Sequence, residues 1–321
     1  MKESKYVIFV TGCLGFIGSH VTRSILESGH YVIGLDKETY AANLDLLNEF
    51  NDSSRFKYIK DDIALIKDVP DCDYVLNIAA ESHVDNSIED QDLFIESNIR
   101  GVYNILSINQ KKSRFKRPAL IHFSTDEVYG DISEGSFDEN SLLNPSNPYS
   151  ATKAAADQLI FAWGRTFNLD FVILRPTNNY GTHQFQEKLI PKTLSLLKRN
   201  KKIPLHNKGT PVRTWLHVSD TANFVNIILE KNITKGIFNL SGNVKKQNIE
   251  VVSNIINKYL NKDLSETELK SYFDLSFERA GQDIRYSVSC AKANDLGWYS
   301  QADFDEKIHE IVEFYRDKEI F

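Results

Sequence analysis

Two pairs of side chains in this sequence have the types and spacing that acid–base chemistry needs. Tyr149 and Lys153 stand four residues apart in a segment with a helical pattern, so their side chains share one face, one turn apart. An ammonium group beside a phenol favours the phenolate, which a tyrosine titrating at about 10 needs in order to act as a base at neutral pH. Asp126 and Glu127 directly follow an apolar run that ends at Thr125, which predicts two carboxylates at the end of a strand.

A glycine-rich turn shares the chain with these pairs and points to a nucleotide cofactor. The run Thr11-Gly12-Cys13-Leu14-Gly15-Phe16-Ile17-Gly18 follows the first predicted strand and opens the first predicted helix. A tight turn, close backbone approach and a helix N-terminus together form a pyrophosphate site. The second predicted strand ends at Asp36, whose carboxylate would accept hydrogen bonds from a ribose and repel a 2′-phosphate. This favours NAD over NADP, although Lys37 softens the repulsion.

The elements that must position these groups alternate between strands and helices. Short β-branched and aromatic runs predict strands at 6–10, 31–36, 56–60, 74–80, 119–125 and 171–176, with amphipathic stretches between them. Alternating βα units predict an α/β fold with a doubly wound parallel sheet. The pattern loosens after Pro176. We therefore predict an NAD-binding domain over 1–176 with a returning segment at about 214–240, and a smaller substrate-binding lobe over 177–213 and 241–321.

Composition and charge exclude several classes of protein. The 321 residues are 41% hydrophobic and 26% charged, as in a water-soluble globular chain. A net charge of −6 provides no field for nucleic acid or an anionic membrane, and we expect neither partner. Glycines interrupt the apolar stretch 6–18, which argues against a signal peptide. Cys13, Cys72 and Cys290 are odd in number and widely spaced, so we expect a cytoplasmic protein without a metal site.

The glycine turn and the Tyr149/Lys153 pair together resemble the extended short-chain dehydrogenase/reductase superfamily, whose sheet is of the Rossmann type. Further motifs resemble those of its nucleoside-diphosphate-glucose 4,6-dehydratases and stand in family order between Val10 and Trp298. These motifs are Thr39-Tyr40-Ala41, Ala79-Ala80-Glu81-Ser82-His83-Val84-Asp85, Ser124-Thr125-Asp126-Glu127-Val128-Tyr129-Gly130, Asn178-Asn179-Tyr180-Gly181 and Glu187-Lys188-Leu189-Ile190-Pro191. The pair Asp126-Glu127 is the discriminating feature, because epimerases of the superfamily lack it.

The resemblance implies a reaction and a role for each catalytic residue. The C4 hydroxyl of the sugar is oxidised, the C5 proton and the C6 hydroxyl are eliminated, and a hydride returns to C6. Tyr149 would be the base at the C4 hydroxyl, Lys153 would lower its pKa and hold the nicotinamide ribose, and Thr125 would hydrogen-bond the C4 oxygen. Glu127 would remove the C5 proton, and a protonated Asp126 would donate to the departing hydroxyl.

The same resemblance implies two sets of binding residues and, by analogy, a homodimer. The NAD set comprises Gly12, Gly15, Phe16, Ile17, Gly18, Asp36, Lys37, Thr39, Asp62, Ile63, Ala79, Ala80, Glu81, Asn98, Ser124, Tyr149, Lys153 and Asn179. The substrate set comprises Ser82, Thr125, Asn178, Lys188, Leu189, Arg213, Asn248, Arg279 and Arg285. Its lysine and arginines would bind the diphosphate.

Two departures from the family pattern leave the nucleobase open. Asn86 stands where dTDP-glucose enzymes commonly have arginine, and their Arg-Pro-Gly-His run is here Arg279-Ala280-Gly281-Gln282. Asn86 and the Ser-Ala-Thr run between Tyr149 and Lys153 look more like the UDP-glucose branch. The substrate is therefore dTDP-glucose or UDP-glucose. A nucleotide-sugar 4-epimerase and a non-catalytic NAD-binding module are the alternative functions.

Overall fold

A computed structural model describes residues 5–278, 283, 285–316 and 318, and builds them around three sheets. The strands are β1 (Val7–Thr11), β2 (Tyr31–Asp36), β3 (Phe56–Lys60), β4 (Tyr74–Asn77), β5 (Ala119–Phe123), β6 (Phe171–Pro176), β7 (Asn178–Tyr180), β8 (Ile203–Pro204), β9 (Val212–His217), β10 (Gly236–Leu240), β11 (Val244–Gln247) and β12 (Phe273–Asp274). The main sheet has seven strands in the order β3-β2-β1-β4-β5-β6-β10, and every neighbouring pair is parallel.

Helices cover both faces of this sheet and build the second lobe. They are α1 (Phe16–Glu27), α2 (Asp45–Asn51), α3 (Val84–Glu89), α4 (Asp92–Phe94), α5 (Gly101–Lys111), α6 (Pro148–Phe167), α7 (Leu189–Lys198), α8 (Val218–Glu230), α9 (Asn248–Leu260), α10 (Glu266–Leu269), α11 (Ala291–Asp295) and α12 (Phe304–Arg316). A π-helical turn, Ile95–Arg100, joins α4 to α5. In the part of the chain that the structure describes, no helix combines the length and apolar character needed to cross a membrane.

The strand order confirms the predicted doubly wound α/β fold. Helices α1 and α8 pack together on one face of the sheet, while α5 and α6 pack together on the other. Both faces are therefore apolar, as a parallel sheet with helices on either side requires. Strands β4 and β5 end at Asn77 and Phe123, earlier than predicted. After β5 the chain leaves the ladder because the Thr125 side chain accepts a hydrogen bond from the Glu127 amide and starts a 3₁₀ turn, Asp126–Tyr129.

The second lobe has its own apolar core and two small sheets. Strands β11, β9 and β7 form one sheet, and β12 pairs with β8 in the other. Buried side chains of α7, α9 and α12 pack around them. Within the predicted returning segment, α8 and β10 lie on the main sheet, whereas β9 belongs to the second lobe. Trp298, at a position predicted for the substrate lobe, packs instead into the core of the main sheet. The predicted domain limits stay a prediction.

Candidate active site

The glycine turn brings backbone against backbone at the carboxyl end of β1. Gly12 has φ +71°, and an added Cβ at Gly18 would lie 1.9 Å from the Gly12 carbonyl oxygen. Only glycine fits such a contact. The Leu14 amide donates to Asp36 Oδ2 at 3.0 Å, which ties the turn to the end of β2. Helix α1 starts after Gly15, which has no side chain to cap the first amides. These amides are available for an anion.

A cleft above this turn collects most of the residues predicted for the cofactor. The predicted residues that line it are Gly12, Gly15, Phe16, Ile17, Gly18, Asp36, Lys37, Thr39, Ile63, Ala79, Ala80, Glu81, Ser124, Tyr149 and Lys153. It runs from the end of β2 over the glycine turn to helix α6, the path that a dinucleotide takes in such a fold. The described residues therefore fit NAD by shape and by donor set.

Three predicted cofactor residues, Asp62, Asn98 and Asn179, do not line this cleft. Asn98 accepts from the Glu81 amide at 2.9 Å and donates to the Glu81 carbonyl at 3.0 Å, so it fixes the cleft wall. Asp62 lies 3.8 Å from the Lys37 ammonium. Asn179 accepts from the Thr221 hydroxyl at 2.7 Å. The structure gives these side chains supporting contacts within the protein.

Helix α6 places Tyr149 and Lys153 where the cleft meets β5. Both side chains are at least nine-tenths buried. The Lys153 ammonium donates to the Phe123 carbonyl at 2.6 Å, and burial lowers its pKa to about 8. Burial and the Glu127 charge raise the pKa of Tyr149, and a hydrogen bond with Thr125 acts in the opposite direction. Lys153 does not contribute to the shift of the tyrosine pKa in this structure, because its ammonium donates to β5.

The acid pair lies in the 3₁₀ turn that follows β5. Asp126 is 3% exposed, its Oδ1 accepts from the Thr125 hydroxyl at 3.3 Å, and its Oδ2 has no hydrogen-bond partner among the described residues. Burial raises the pKa of Asp126 to about 8, the Glu127 charge adds to the shift, and Arg213 opposes it. Burial also raises the pKa of Glu127, while Arg213 and Asn147 lower it. This environment can keep Asp126 protonated at neutral pH.

A second cleft opens beside the first, between β9, α7 and the turn after β5. The predicted substrate residues that line it are Ser82, Asn178, Lys188, Leu189, Arg213 and Asn248, together with the catalytic candidate Glu127. Ser82, Glu187 and Lys188 line both clefts. The Lys188 ammonium donates to the Ser82 carbonyl at 2.8 Å, so it stands at the junction of the two clefts. A ligand in the second cleft would therefore meet one in the first.

Two predicted substrate residues, Arg285 and Thr125, do not line this cleft, and a third lies outside the described residues. The Arg285 guanidinium donates to the carbonyls of Ser133 at 3.2 Å and Gly135 at 2.9 Å. It anchors the loop after the acid pair, and the predicted diphosphate contact stays a prediction. Thr125 lies against Asp126, is 7% exposed and lines neither cleft. Arg279 falls outside the described residues.

Sequence reasoning missed residues that contact the acid pair. Asn147 donates to Glu127 Oε2 at 3.3 Å, and the Tyr286 hydroxyl lies 3.5 Å from the same oxygen. The Arg213 guanidinium stacks on the Tyr286 ring at 4.7 Å. An asparagine before Pro148 signals a helix N-cap, but the sequence has no local signal that this cap reaches Glu127.

Comparison with known proteins agrees with this geometry. The family model described as GDP-mannose 4,6 dehydratase matches residues 9–311. The chain belongs to this family. The dTDP-glucose 4,6-dehydratase of Haemophilus influenzae is 38% identical and that of Escherichia coli 36% identical, each match covering 96% of this chain and 97% or 92% of the relative. The resemblance to 4,6-dehydratases found in the sequence is confirmed.

Solved structures separate the dehydratases of this family from the epimerases by sequence. The dTDP-glucose 4,6-dehydratase DesIV from Streptomyces venezuelae, solved with NAD and TYD bound, has a TM-score of 0.88 at 34% identity and 97% coverage of both chains. A UDP-glucuronic acid 4-epimerase from Bacillus cereus also has a TM-score of 0.88 but is only 23% identical, covering 97% of this chain and 99% of the epimerase. The epimerase therefore shares the fold, whereas the dehydratases share the fold and the family sequence.

Proposed function

We propose that this protein is an NAD-dependent 4,6-dehydratase that converts dTDP-glucose or UDP-glucose to the 4-keto-6-deoxy sugar nucleotide. The observation that carries the proposal is the acid pair beside the tyrosine. Asp126 is buried with one oxygen unpartnered among the described residues, Glu127 lines the substrate cleft, and both charges act on Tyr149. Oxidation or epimerisation at C4 needs the tyrosine alone, whereas elimination needs an acid and a second base.

The cofactor cleft supports the first half of this reaction. Bound NAD would supply the hydride acceptor for C4 and, once reduced, the hydride donor for C6. Tyr149 takes the proton of the C4 hydroxyl, with Thr125 beside it as a hydrogen-bond partner for the oxygen. Lys153 lies one turn along α6, where its ammonium holds the ribose and adds positive charge. Asp36 and the glycine turn hold the other half of the dinucleotide.

The two carboxyl groups divide the elimination between them. A ketone at C4 acidifies the C5 proton, which Glu127 removes as a carboxylate. Asp126, with a pKa of about 8, still holds a proton at neutral pH and gives it to the departing C6 hydroxyl. Each such proton transfer contributes roughly 10²–10⁴ in rate. Two neighbouring acids with different surroundings can thus take opposite roles.

The substrate's diphosphate requires cations in the second cleft. Lys188 and Arg213 line it from opposite elements, α7's N-cap and β9. Arginine can bind phosphate oxygens with two parallel hydrogen bonds. Asn178, Leu189 and Asn248 line the same cleft, where Asn178 would contact the sugar and Asn248 the nucleoside.

Product analysis tests the proposal against its alternatives. The purified protein is given NAD with dTDP-glucose, UDP-glucose or GDP-mannose in parallel. We expect a 4-keto-6-deoxy product with one of the glucose nucleotides. Formation of the galactose epimer alone would assign a 4-epimerase instead, and no reaction with NAD bound would assign a binding module.

The same parallel assays will identify the nucleobase of the preferred substrate. Several relatives are named dTDP-glucose 4,6-dehydratases, which favours dTDP-glucose as the substrate of this protein. Asn86, whose side-chain amide lies 3.4 Å from the Tyr40 hydroxyl, and the Ser-Ala-Thr run between Tyr149 and Lys153 favour UDP-glucose. The higher kcat/KM identifies the substrate, because it compares transition-state stabilisation directly.

We further propose a homodimer and a cytoplasmic location. Leu93, Ile95 and Tyr103 on the α4–α5 segment are 52%, 45% and 41% exposed, and such exposed apolar side chains on one segment suit contact with a second copy. Light scattering after size exclusion should give twice the chain mass, and Tyr103→Lys should shift it toward the monomer. Three free cysteines suit a reducing compartment.

A further inference from the structure

The side chain of Asn147 makes two contacts that serve different parts of the site. Its Oδ1 accepts from the Ser150 amide at 2.9 Å and caps helix α6, which carries Tyr149 and Lys153. Its Nδ2 donates to Glu127 Oε2 at 3.3 Å. The first contact fixes the orientation of the amide, because only the oxygen can accept from a backbone N–H. The nitrogen must then face the carboxylate.

Glu127 is held on one side only. The hydroxyl of Tyr286 lies 3.5 Å from the same Oε2, and Oε1 receives no hydrogen bond from the described residues. The charged and titratable groups around this carboxylate are Arg213 and Lys188, which favour its ionised form, and Asp283, Asp126, Tyr149 and Tyr286, which oppose it or compete with it. Oε2 is thus the anchored oxygen and Oε1 the one that can accept a proton.

We propose that Asn147 is a positioning residue for the C5 proton transfer. Its side chain orients the Glu127 carboxylate and also caps the start of helix α6, which carries Tyr149. The inference rests on the proposed role of Glu127 as the C5 base. The Asn147 amide group thus fixes the positions of the two bases, Tyr149 and Glu127, relative to each other. A shift of the helix would move both together.

Asparagine suits this position because it is both an acceptor and a donor. Aspartate and serine cap helices about as well as asparagine, so either keeps the first contact. Aspartate, which has the same shape, replaces the donor by a second negative oxygen beside Oε2. Serine has no amide group to reach the carboxylate. The capping role and the positioning role can therefore be separated by substitution.

Three variants, Asn147→Asp, Asn147→Ser and Asn147→Ala, test the proposal. We measure thermal stability, the formation of reduced cofactor after substrate is added, and solvent deuterium entering C5 as a function of pH. A hydrogen bond to a charged group is worth about 10- to 100-fold, so we expect Asn147→Asp to slow C5 exchange about 10-fold or more at neutral pH, and Asn147→Ser less. Without the donor, the pKa of Glu127 rises, so the loss of exchange on acidification should begin at higher pH.

Each outcome decides for or against a role beyond the cap. Asp and Ser variants with wild-type stability and an altered pH profile support the proposal. Wild-type exchange in Asn147→Asp overturns it, as do losses in the three variants that simply follow their stability. Glu127→Gln separates the two levels of inference. If Glu127→Gln leaves C5 exchange intact, the proposed base is wrong. If Glu127→Gln abolishes C5 exchange and Asn147→Asp leaves the exchange rate unchanged, only the positioning role of Asn147 fails.

Discussion

Asp126 and Glu127 are neighbours in the chain, yet their carboxyl groups have opposite surroundings. Asp126 is almost fully buried, with Thr125 as a neutral donor to one oxygen and no partner among the described residues for the other. Glu127 lines the substrate cleft and receives a hydrogen bond from Asn147, and the Tyr286 hydroxyl, which donates to Asp283, lies 3.5 Å from its Oε2. Donors stabilise a carboxylate, and burial without donors stabilises the neutral acid. These surroundings fit the proposed roles of Asp126 as the acid and Glu127 as the base.

The substitution Asp126→Asn should uncouple oxidation from elimination. The amide preserves the shape but cannot protonate the C6 hydroxyl, so elimination should slow by about 10²- to 10⁴-fold while C4 oxidation persists. Bound reduced cofactor should accumulate after substrate is mixed in, visible as near-ultraviolet absorbance. Tyr149→Phe is the control, because it blocks the earlier step and should give no such absorbance. Rapid turnover of Asp126→Asn without reduced cofactor would contradict the assignment.

The pH dependence of turnover should be bell-shaped. Asp126 acts while protonated, so elimination is lost as the pH rises through its pKa of about 8. Glu127 acts while ionised, so activity is lost as the pH falls through its pKa, which burial raises. The pair titrates as a unit, and the limbs report both groups together. Rates of C5 deuterium incorporation, measured from pH 5 to 10 in steps of about half a unit, would show the two limbs. Lys153 also has a pKa of about 8. An alkaline limb that persists in Asp126→Asn would therefore belong to Lys153.

Periodicity predicted the main sheet because its strands are buried on both sides and its helices follow each strand. Such runs signal secondary structure locally, and the right-handed crossover rule limits the orders in which the strands can pair. The second lobe is less predictable. Its strands β8 and β12 have two residues each, and β9 joins a sheet whose other members lie far away in sequence. Pairing of this kind depends on tertiary packing, which single-sequence patterns do not contain.

Most of the site was predictable because motifs at strand ends converge on one edge of a parallel sheet. Arg285 shows where this reasoning stops. Its residue type suits a diphosphate, but its guanidinium is used by loop carbonyls after the chain folds back. Asn147 shows the converse, since a helix-capping asparagine reaches a carboxylate 20 residues earlier in the chain. Side-chain direction in loops is set by the surrounding packing.

The cofactor preference should depend on Asp36. Its two oxygens accept from the amides of Leu14 at 3.0 Å and Glu38 at 2.9 Å, and the side chain lines the cleft at the end of β2. A carboxylate there favours a ribose with a free 2′-hydroxyl. Asp36→Asn should weaken NAD binding about 10-fold, the scale of one charge-assisted hydrogen bond. It should also reduce the ratio of the affinity for NAD to the affinity for NADP. Titration of both cofactors by protein fluorescence measures this directly. Equal losses for NAD and NADP would show that Asp36 supports the turn and does not discriminate.

The buried pair of Asp157 and Arg175 should be essential for stability. Its side chains are 0% and 1% exposed and meet at 2.9 Å, and Asp157 lies on helix α6 one turn after Lys153. Removal of one charge leaves the other buried without compensation, so Asp157→Asn should lower the free energy of unfolding by about 3–5 kcal/mol. The exposed pair Arg23 and Glu49, which also meets in a two-point contact, is the matched control, and Glu49→Gln should cost less than about 1 kcal/mol. Denaturant unfolding of both variants gives the comparison.

A double variant, Asp157→Leu with Arg175→Met, should recover part of the lost stability because neither charge remains buried. A double variant less stable than Asp157→Asn would show that the hydrogen bond from Arg175 to Tyr129, not charge balance, is the larger contribution to stability.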